Sequence, residues 1–119
     1  MRRLPEIADA RAAWWAWRAL RSVRSQLQAG AVRDVRVPGP PAVPDRAGRA
    51  VRLVLGRQHP SCFERALVLQ RWLAAHGCPR DVVVGTEGGG RGNFTAHAWL
   101  DGESQPAGHH YVEMLRLAP

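Results

Sequence analysis

Residues 60–77 read PSCFERALVLQRWLAAHG, and this stretch predicts one complete helix with a cysteine at its start. Ser61 is a preferred N-cap residue, and Glu64 follows it at the spacing of a reciprocal capping box. Gly77 has the conformational freedom that a left-handed C-cap needs. We therefore expect Cys62 at the first helical position, where free backbone amides and the helix dipole stabilise a thiolate.

A candidate base follows on a predicted strand. Residues 93–100 read NFTAHAWL, which places His97 between two small residues that leave room for a substrate. An imidazole within reach of a thiol can hold its proton and return it to a leaving amine. Cys62 and His97 are thus the candidate catalytic pair. Trp99 shares a strand face with His97, so it is either a wall of the substrate groove or an ordinary core residue.

The remaining elements predict an α+β fold, in which N-terminal helices precede a small antiparallel sheet. Residues 5–29 have a helical pattern, and Asp45 is expected to cap a second helix that ends near Arg57. Three extended runs then follow Pro79, at residues 81–86, 93–100 and 111–117. The proline-rich residues 38–44 predict a connector that divides the chain into an N-terminal arm, residues 1–44, and a catalytic domain, residues 45–119.

Composition limits the compartment and the partners. The chain of 119 residues has a net charge of +7, and all seventeen of its cations are arginine, which favours an anionic partner. No block of five consecutive cations occurs, so nucleic-acid binding is the weaker reading. Cys62 and Cys78 would lie roughly 24 Å apart on one helix, too far for a disulfide. Two free thiols and the lack of a continuous apolar N-terminal run predict a cytoplasmic protein.

Three other readings stay open from the residues alone. The pair could be an inert core cysteine and an unrelated histidine, which is common in small domains. Four soft or borderline ligands could bind a metal, although they lack Cys-x-x-Cys spacing: His59, Cys62, Cys78 and His97. The aromatic arm could dock on a partner or on the inner face of the membrane through Trp14, Trp15 and Trp17, or some of these side chains could simply cover the core of the catalytic domain.

Residues 61–117 resemble the transglutaminase-like cysteine peptidases of lasso-peptide biosynthesis, the leader peptidases. The resemblance rests on four stretches in order: CFERAL at 62–67, LAAHG at 73–77, VVVG at 82–85 and AHAW at 96–99. It implies a papain-like or transglutaminase-like fold with the nucleophile at a helix N-terminus. Cys62 would attack the leader–core junction of a ribosomally made precursor peptide, through a thioester and without a cofactor or metal.

The resemblance also implies partners. In that family a separate cyclase closes the macrolactam, and a leader-recognition domain presents the precursor. Residues 1–44 predict only a helix and a connector, so we expect the split form, in which the leader-recognition domain is a separate protein. A catalytically silent scaffold that binds the precursor peptide is the alternative.

One position departs from the family pattern. The third catalytic residue of the family is usually an aspartate ten to twelve residues after the histidine, and residues 105–110 read QPAGHH. Asp101 is therefore our candidate for the residue that orients His97, with a backbone carbonyl or side-chain amide as the other option.

Overall fold

The computed structural model describes residues 7–89, 93–103 and 111–119, and it has the α+β fold that the sequence predicts. Three helices precede a three-stranded antiparallel sheet. The elements are α1 (Ile7–Gln28), a 3-10 turn (Asp45–Ala47), α2 (Gly48–Gln58), α3 (Cys62–Ala75), β1 (Val82–Gly89), β2 (Asn93–Leu100) and β3 (Val112–Leu117).

Helix α3 begins and ends at the residues that its sequence indicates. The Ser61 side chain accepts from the Glu64 N–H over 3.1 Å, and the Glu64 carboxylate accepts from the Ser61 N–H over 2.8 Å. Gly77 adopts φ +77°, and the Cys78 N–H returns to the Leu73 carbonyl, which is the Schellman arrangement. The capping-box prediction and the placement of Cys62 at the first helical position are confirmed.

The start of the second helix differs from its prediction. Neither the 3-10 turn nor α2 has a side-chain cap, so Asp45 does not act as one. Pro44, with extended dihedral angles, occupies the N-cap position, and Asp45 already lies inside the turn. A residue within the turn cannot place its carboxylate ahead of the free amides, which is why the capping prediction is wrong.

Helix α1 packs into the same core as the rest of the chain. Its apolar stripe is fully buried against the other helices, and it comprises Ala12, Trp15, Ala16, Ala19, Leu20 and Val23. The Trp15 ring lies 5.8 Å from that of Trp72 on α3, and its N–H donates to the Pro38 carbonyl over 2.9 Å. Residues before and after position 44 therefore belong to one hydrophobic core, and the division into an arm and a catalytic domain stays a prediction. In the described residues, none of the helices combines the length and apolar content needed to cross a membrane.

The strand order in the sheet is β2-β1-β3. The helix-facing side carries core residues that include Val82, Ala98 and Leu100. Because successive side chains on a strand point to opposite faces, His97 and Trp99 lie on the other side. In the described sheet β2 is a terminal strand, and Cys62 at the start of α3 contacts it at Ala98.

Candidate functional site

The candidate nucleophile lies at the open N-terminus of α3. Cys62 is an exposed free thiol. The Glu64 N–H is capped by Ser61 and the Arg65 N–H bonds to the Ser61 carbonyl. Within the described ranges, the N–H groups of Cys62 and Phe63 have no acceptor. Two unpaired donors beside a sulfur can stabilise the negative oxygen that forms when a thiolate attacks a carbonyl.

Strand β2 holds the sulfur from the side. The Ala98 N–H donates to Cys62 Sγ over 3.4 Å. An N–H that bonds to the sulfur points away from β1, so Cys62 lies beside the outer edge of β2. The sulfur therefore lies where an extended peptide running along that edge would present its carbonyls.

The same contact brings His97 close to the nucleophile. His97 precedes Ala98, and adding two backbone bonds to the 3.4 Å contact places Sγ within roughly 6 Å of the His97 Cα. To reach the sulfur, the imidazole would have to leave its present position by rotation about its Cα–Cβ bond. In the described chain no hydrogen bond joins the two side chains. The backbone has brought the pair together, while the ring itself is turned elsewhere.

The His97 ring belongs to an aromatic cluster on the outer face of the sheet. Its centroid lies 5.9 Å from that of Trp99 and 5.2 Å from that of Tyr111, and those two rings are 5.9 Å apart. We call these three residues the outer aromatic cluster. Contacts at these distances hold a ring in place by stacking and exclude water from its faces.

Gly85 lies directly beneath the rings of this cluster. It pairs with His97 in the register of β1 and β2. A Cβ at this position would lie 2.9 Å from Trp99 Cη2 and 3.0 Å from both Tyr111 Cβ and the Val112 carbonyl oxygen. Because backbone and ring atoms occupy that space, only glycine lets the aromatic rings settle onto the strand.

A comparison with family models identifies the superfamily of this chain. The family model of the transglutaminase-like superfamily matches residues 7–118. The chain belongs to the transglutaminase-like superfamily. No curated protein and no solved structure matches it. Proteins of this superfamily commonly include cysteine peptidases, which agrees with an exposed cysteine at a helix start.

Trp99 is half-buried in this transglutaminase-like domain. It lies outside the core between sheet and helices and covers Val83, its cross-strand partner on β1. Its direct contact with His97 suits the predicted part in the substrate groove, which stays a prediction.

Asp101 does not lie beside His97. Its carboxylate accepts from Arg116 over 3.0 Å, and Asp81 and Glu113 bind the same guanidinium at 3.3 and 2.9 Å. The hydrogen bonds that Arg116 donates to Glu113, Asp101 and Asp81 raise the pKa of its guanidinium, so this cation stays charged. Asp101 also follows His97 by four residues, which is about 13 Å along a strand. The structure thus places Asp101 in an ion-pair network at the far end of β2.

The structure does not describe residues 104–110, and this range includes the positions where the family aspartate would fall, 105–110. The proposed metal ligands His59, Cys62, Cys78 and His97 are all described. In the described part of the chain, no group of three or more His, Cys, Asp or Glu side chains is arranged to hold a metal ion.

Sequence reasoning missed Tyr111, Gly85 and Arg24. Tyr111 precedes the third strand, and only the strand order shows that its ring lies over β1 and meets His97. Gly85 did carry a signal, because a glycine inside a valine-rich strand often marks a close approach. Arg24 contacts α3 from a helix 40 residues away, and no local pattern indicates that contact.

Proposed function

We propose that this protein is a cysteine endopeptidase that removes the leader from a ribosomally made lasso precursor peptide, so that a partner cyclase can close the macrolactam. One observation carries the proposal: the exposed Cys62 at an open helix N-terminus, bonded to the strand that bears His97.

The open edge of β2 supports a peptide substrate. In an antiparallel strand the N–H and C=O of alternate residues point the same way, so those of the exposed Ala96 point outward as the Ala98 N–H does. Leu100 also points outward, but its N–H is occupied by the Glu103 carboxylate at 2.9 Å. An extended peptide can therefore pair with the edge at Ala96 and place a carbonyl beside Cys62.

The chemistry follows from these positions. The Cys62 thiolate attacks the carbonyl carbon at the leader–core junction, and the Cys62 and Phe63 N–H groups stabilise the oxyanion. His97, protonated by the thiol, returns its proton to the amine of the core peptide as the C–N bond breaks. Water then hydrolyses the thioester, releasing the leader carboxylate and restoring the thiol. The freed core amine is the group that a cyclase joins to a side-chain carboxylate.

The proposed setting is cytoplasmic, at or near the inner face of the membrane. The proposed partners are the leader of the precursor peptide, a separate leader-recognition protein and the macrolactam-forming cyclase. The cytoplasmic setting and the partners come from the family resemblance and from the pair of free thiols. The membrane contact is a prediction from Trp14, Trp15 and Trp17, of which Trp15 is buried in the core.

A cleavage assay with matched cysteine variants tests the proposal. Candidate precursor peptides and leader-recognition proteins, sought among the neighbouring genes, are mixed with the parent, Cys62→Ala or Cys78→Ala protein, and products are followed by mass spectrometry. We expect the parent and Cys78→Ala to release the leader, and Cys62→Ala to release none. Equal cleavage by the Cys62→Ala variant would refute the proposal.

A second candidate is a catalytically silent scaffold that binds the precursor. It is favoured by the position of the His97 ring against Trp99 and Tyr111 and by the pairing of Asp101 with Arg116. Iodoacetamide separates the two candidates. In an enzyme, iodoacetamide should alkylate Cys62 much faster than Cys78 at slightly acidic pH, and Cys62 should be alkylated faster in the parent than in His97→Ala. Slow labelling of Cys62 that does not depend on His97 favours the scaffold.

A further inference from the structure

A groove lies between α1 and the proline-rich connector. Its volume is about 660 Å³, and its lining includes Arg11, Trp14, Arg18, Arg36, Pro38 and Pro41. We call it the arginine groove. The proposed peptidase chemistry uses none of these residues.

Hydrogen bonds join the two walls of the arginine groove, which are α1 and the proline-rich connector. The side-chain amide of Gln26 on α1 donates to the Arg36 carbonyl over 2.7 Å and accepts from the Arg36 N–H over 2.8 Å. Two residues further, the Pro38 carbonyl accepts from the Trp15 indole over 2.9 Å. The connector is thus held to α1 at two points, so a ligand meets a preformed groove and little ordering cost opposes its binding.

An exposed tryptophan forms the apolar part of the groove. Trp14 is 61 % exposed, whereas its neighbour Trp15 is 6 % exposed and belongs to the core. The Trp14 ring stacks on Trp17 at 5.3 Å, and the Arg21 guanidinium covers Trp17 at 4.9 Å. A large apolar ring that is braced but open to solvent is typical of a binding anchor.

The charge of the groove is positive. Arg11, Arg18 and Arg36 line it, and no carboxylate is among its described lining residues. Across the described chain, none of these three guanidinium groups has a carboxylate partner. Unpaired arginines around an apolar ring favour a ligand that carries carboxylates, because Arg binds them in bidentate fashion.

Spacing defines the ligand further. Arg11 and Arg18 are seven residues apart on α1, which separates them by about 10.5 Å along the helix axis, with Trp14 between them. A peptide in the polyproline II conformation advances about 9 Å over three residues. Two acidic residues at positions i and i+3 can therefore reach the two arginines while an apolar residue between them contacts Trp14.

We propose that the arginine groove binds an extended acidic segment of a partner protein, with carboxylates three residues apart and an apolar side chain between them. A concave groove with walls on both sides fits a single chain better than a flat lipid surface, and the burial of Trp15 removes one of the three side chains that a membrane contact would use.

An unbiased peptide selection tests the proposal. The labelled protein is applied to an array of short random peptides, and the affinity of the strongest selected peptide is measured by fluorescence polarisation. We expect acidic pairs at i and i+3 to be enriched. The affinity for that peptide should fall by about tenfold or more in each of three variants, Trp14→Ala, Arg11→Glu and Arg18→Glu. The control variant Arg49→Glu changes an exposed residue of α2 and should leave the affinity unchanged.

A charge swap gives the second readout, because it reports on direct pairing. The selected peptide with both carboxylates replaced by lysine should bind the Arg11→Glu/Arg18→Glu double variant better than it binds the parent. Selected peptides without acidic pairs, or equal weakening by Arg49→Glu, would overturn the proposal. Vesicles of phosphatidylcholine and phosphatidylglycerol, and oligo-dT, are measured in parallel. If the groove substitutions lower the affinity for the vesicles or for oligo-dT more than the affinity for the peptide, a membrane or a nucleic acid is the occupant and the proposal fails.

Discussion

Arg24 on α1 donates its Nε–H to Glu64 Oε1 over 3.3 Å, and this bond joins the first helix to the start of the helix that carries Cys62. The same carboxylate oxygen accepts from the Ser61 N–H. Arg24 also donates to the Gln58 carbonyl over 2.9 Å, at the end of α2. One side chain therefore ties both ends of the turn that leads into the nucleophile, a turn in which His59 has φ +48°.

Replacing Arg24 with alanine should loosen this turn. The pair is partly shielded, because the side chains are 33 % and 15 % exposed, so we expect the free energy of unfolding to fall by about 1–2 kcal/mol. Urea denaturation measures the change. Arg49→Ala removes an exposed arginine of α2 and should change stability by less than about 0.5 kcal/mol. An equal loss in both variants would contradict a specific role for Arg24.

Gly85→Ala should destabilise the protein because the added methyl meets Trp99, Tyr111 and the Val112 carbonyl at 3.0 Å or less. The backbone oxygen cannot swing away as the end of a flexible side chain would. We expect a loss of about 1–3 kcal/mol, measured by thermal denaturation, and a displaced His97 ring.

Gly56→Ala is the matched control for Gly85→Ala. Gly56 lies within α2, and a Cβ there has no heavy atom within 4 Å. Alanine should raise stability by roughly 0.5–1 kcal/mol, since glycine weakens a helix interior. The two Gly-to-Ala changes should therefore differ in sign. A stabilised Gly85→Ala variant would mean that the outer aromatic cluster does not rest on this residue.

The local features of the site could be predicted from the sequence, and its long-range contacts could not. The capping box at Ser61 and Glu64 and the C-cap at Gly77 depend on side chains a few residues apart, so their spacing reveals them. The position of Cys62 follows from that local pattern.

The orientation of the base depends on strand order instead. The spacing of β1, β2 and β3 along the chain does not show that β1 lies in the middle, and only that order brings Tyr111 to His97 across Gly85. The pairing of Asp101 with Arg116 likewise joins a turn to the last strand. Such contacts depend on which strands neighbour each other, and the alternation within one strand carries no information about that.

Asp101→Asn tests the predicted orienting role directly. Because the Asp101 carboxylate binds Arg116, we expect the variant to cleave, or to be alkylated at Cys62, within about twofold of the parent. Replacing the carboxylate that orients the histidine of a triad typically lowers kcat by about 10⁴-fold. His97→Ala serves as the inactive reference. If the rate of Asp101→Asn fell by about 10⁴-fold, Asp101 would again be the residue that orients His97.

His76 links the end of α3 to the connector through both ring nitrogens. Nδ1 lies 2.8 Å from the Trp72 carbonyl oxygen, and Nε2 lies 2.9 Å from that of Val43. A carbonyl only accepts, so both bonds form together only when the ring is protonated. Burial opposes the charge, but the two carbonyl bonds and the Asp45 carboxylate outweigh it and raise the pKa of His76 above its usual value.

The raised pKa of His76 predicts a pH-dependent stability. A histidine whose pKa is higher in the folded than in the unfolded protein stabilises the folded state. This stabilisation is complete at pH values below the unfolded-state pKa, about 6.5, and it is lost as the pH rises through the folded-state pKa. We therefore expect the unfolding free energy of the parent to exceed that of His76→Gln by about 1–2 kcal/mol at pH 5.5, and by less at pH 8.5. Urea denaturation at both pH values measures the two differences, and comparing variants cancels the titration of other groups. A difference that grows toward pH 8.5 would show that the neutral ring makes the stronger link between α3 and Val43.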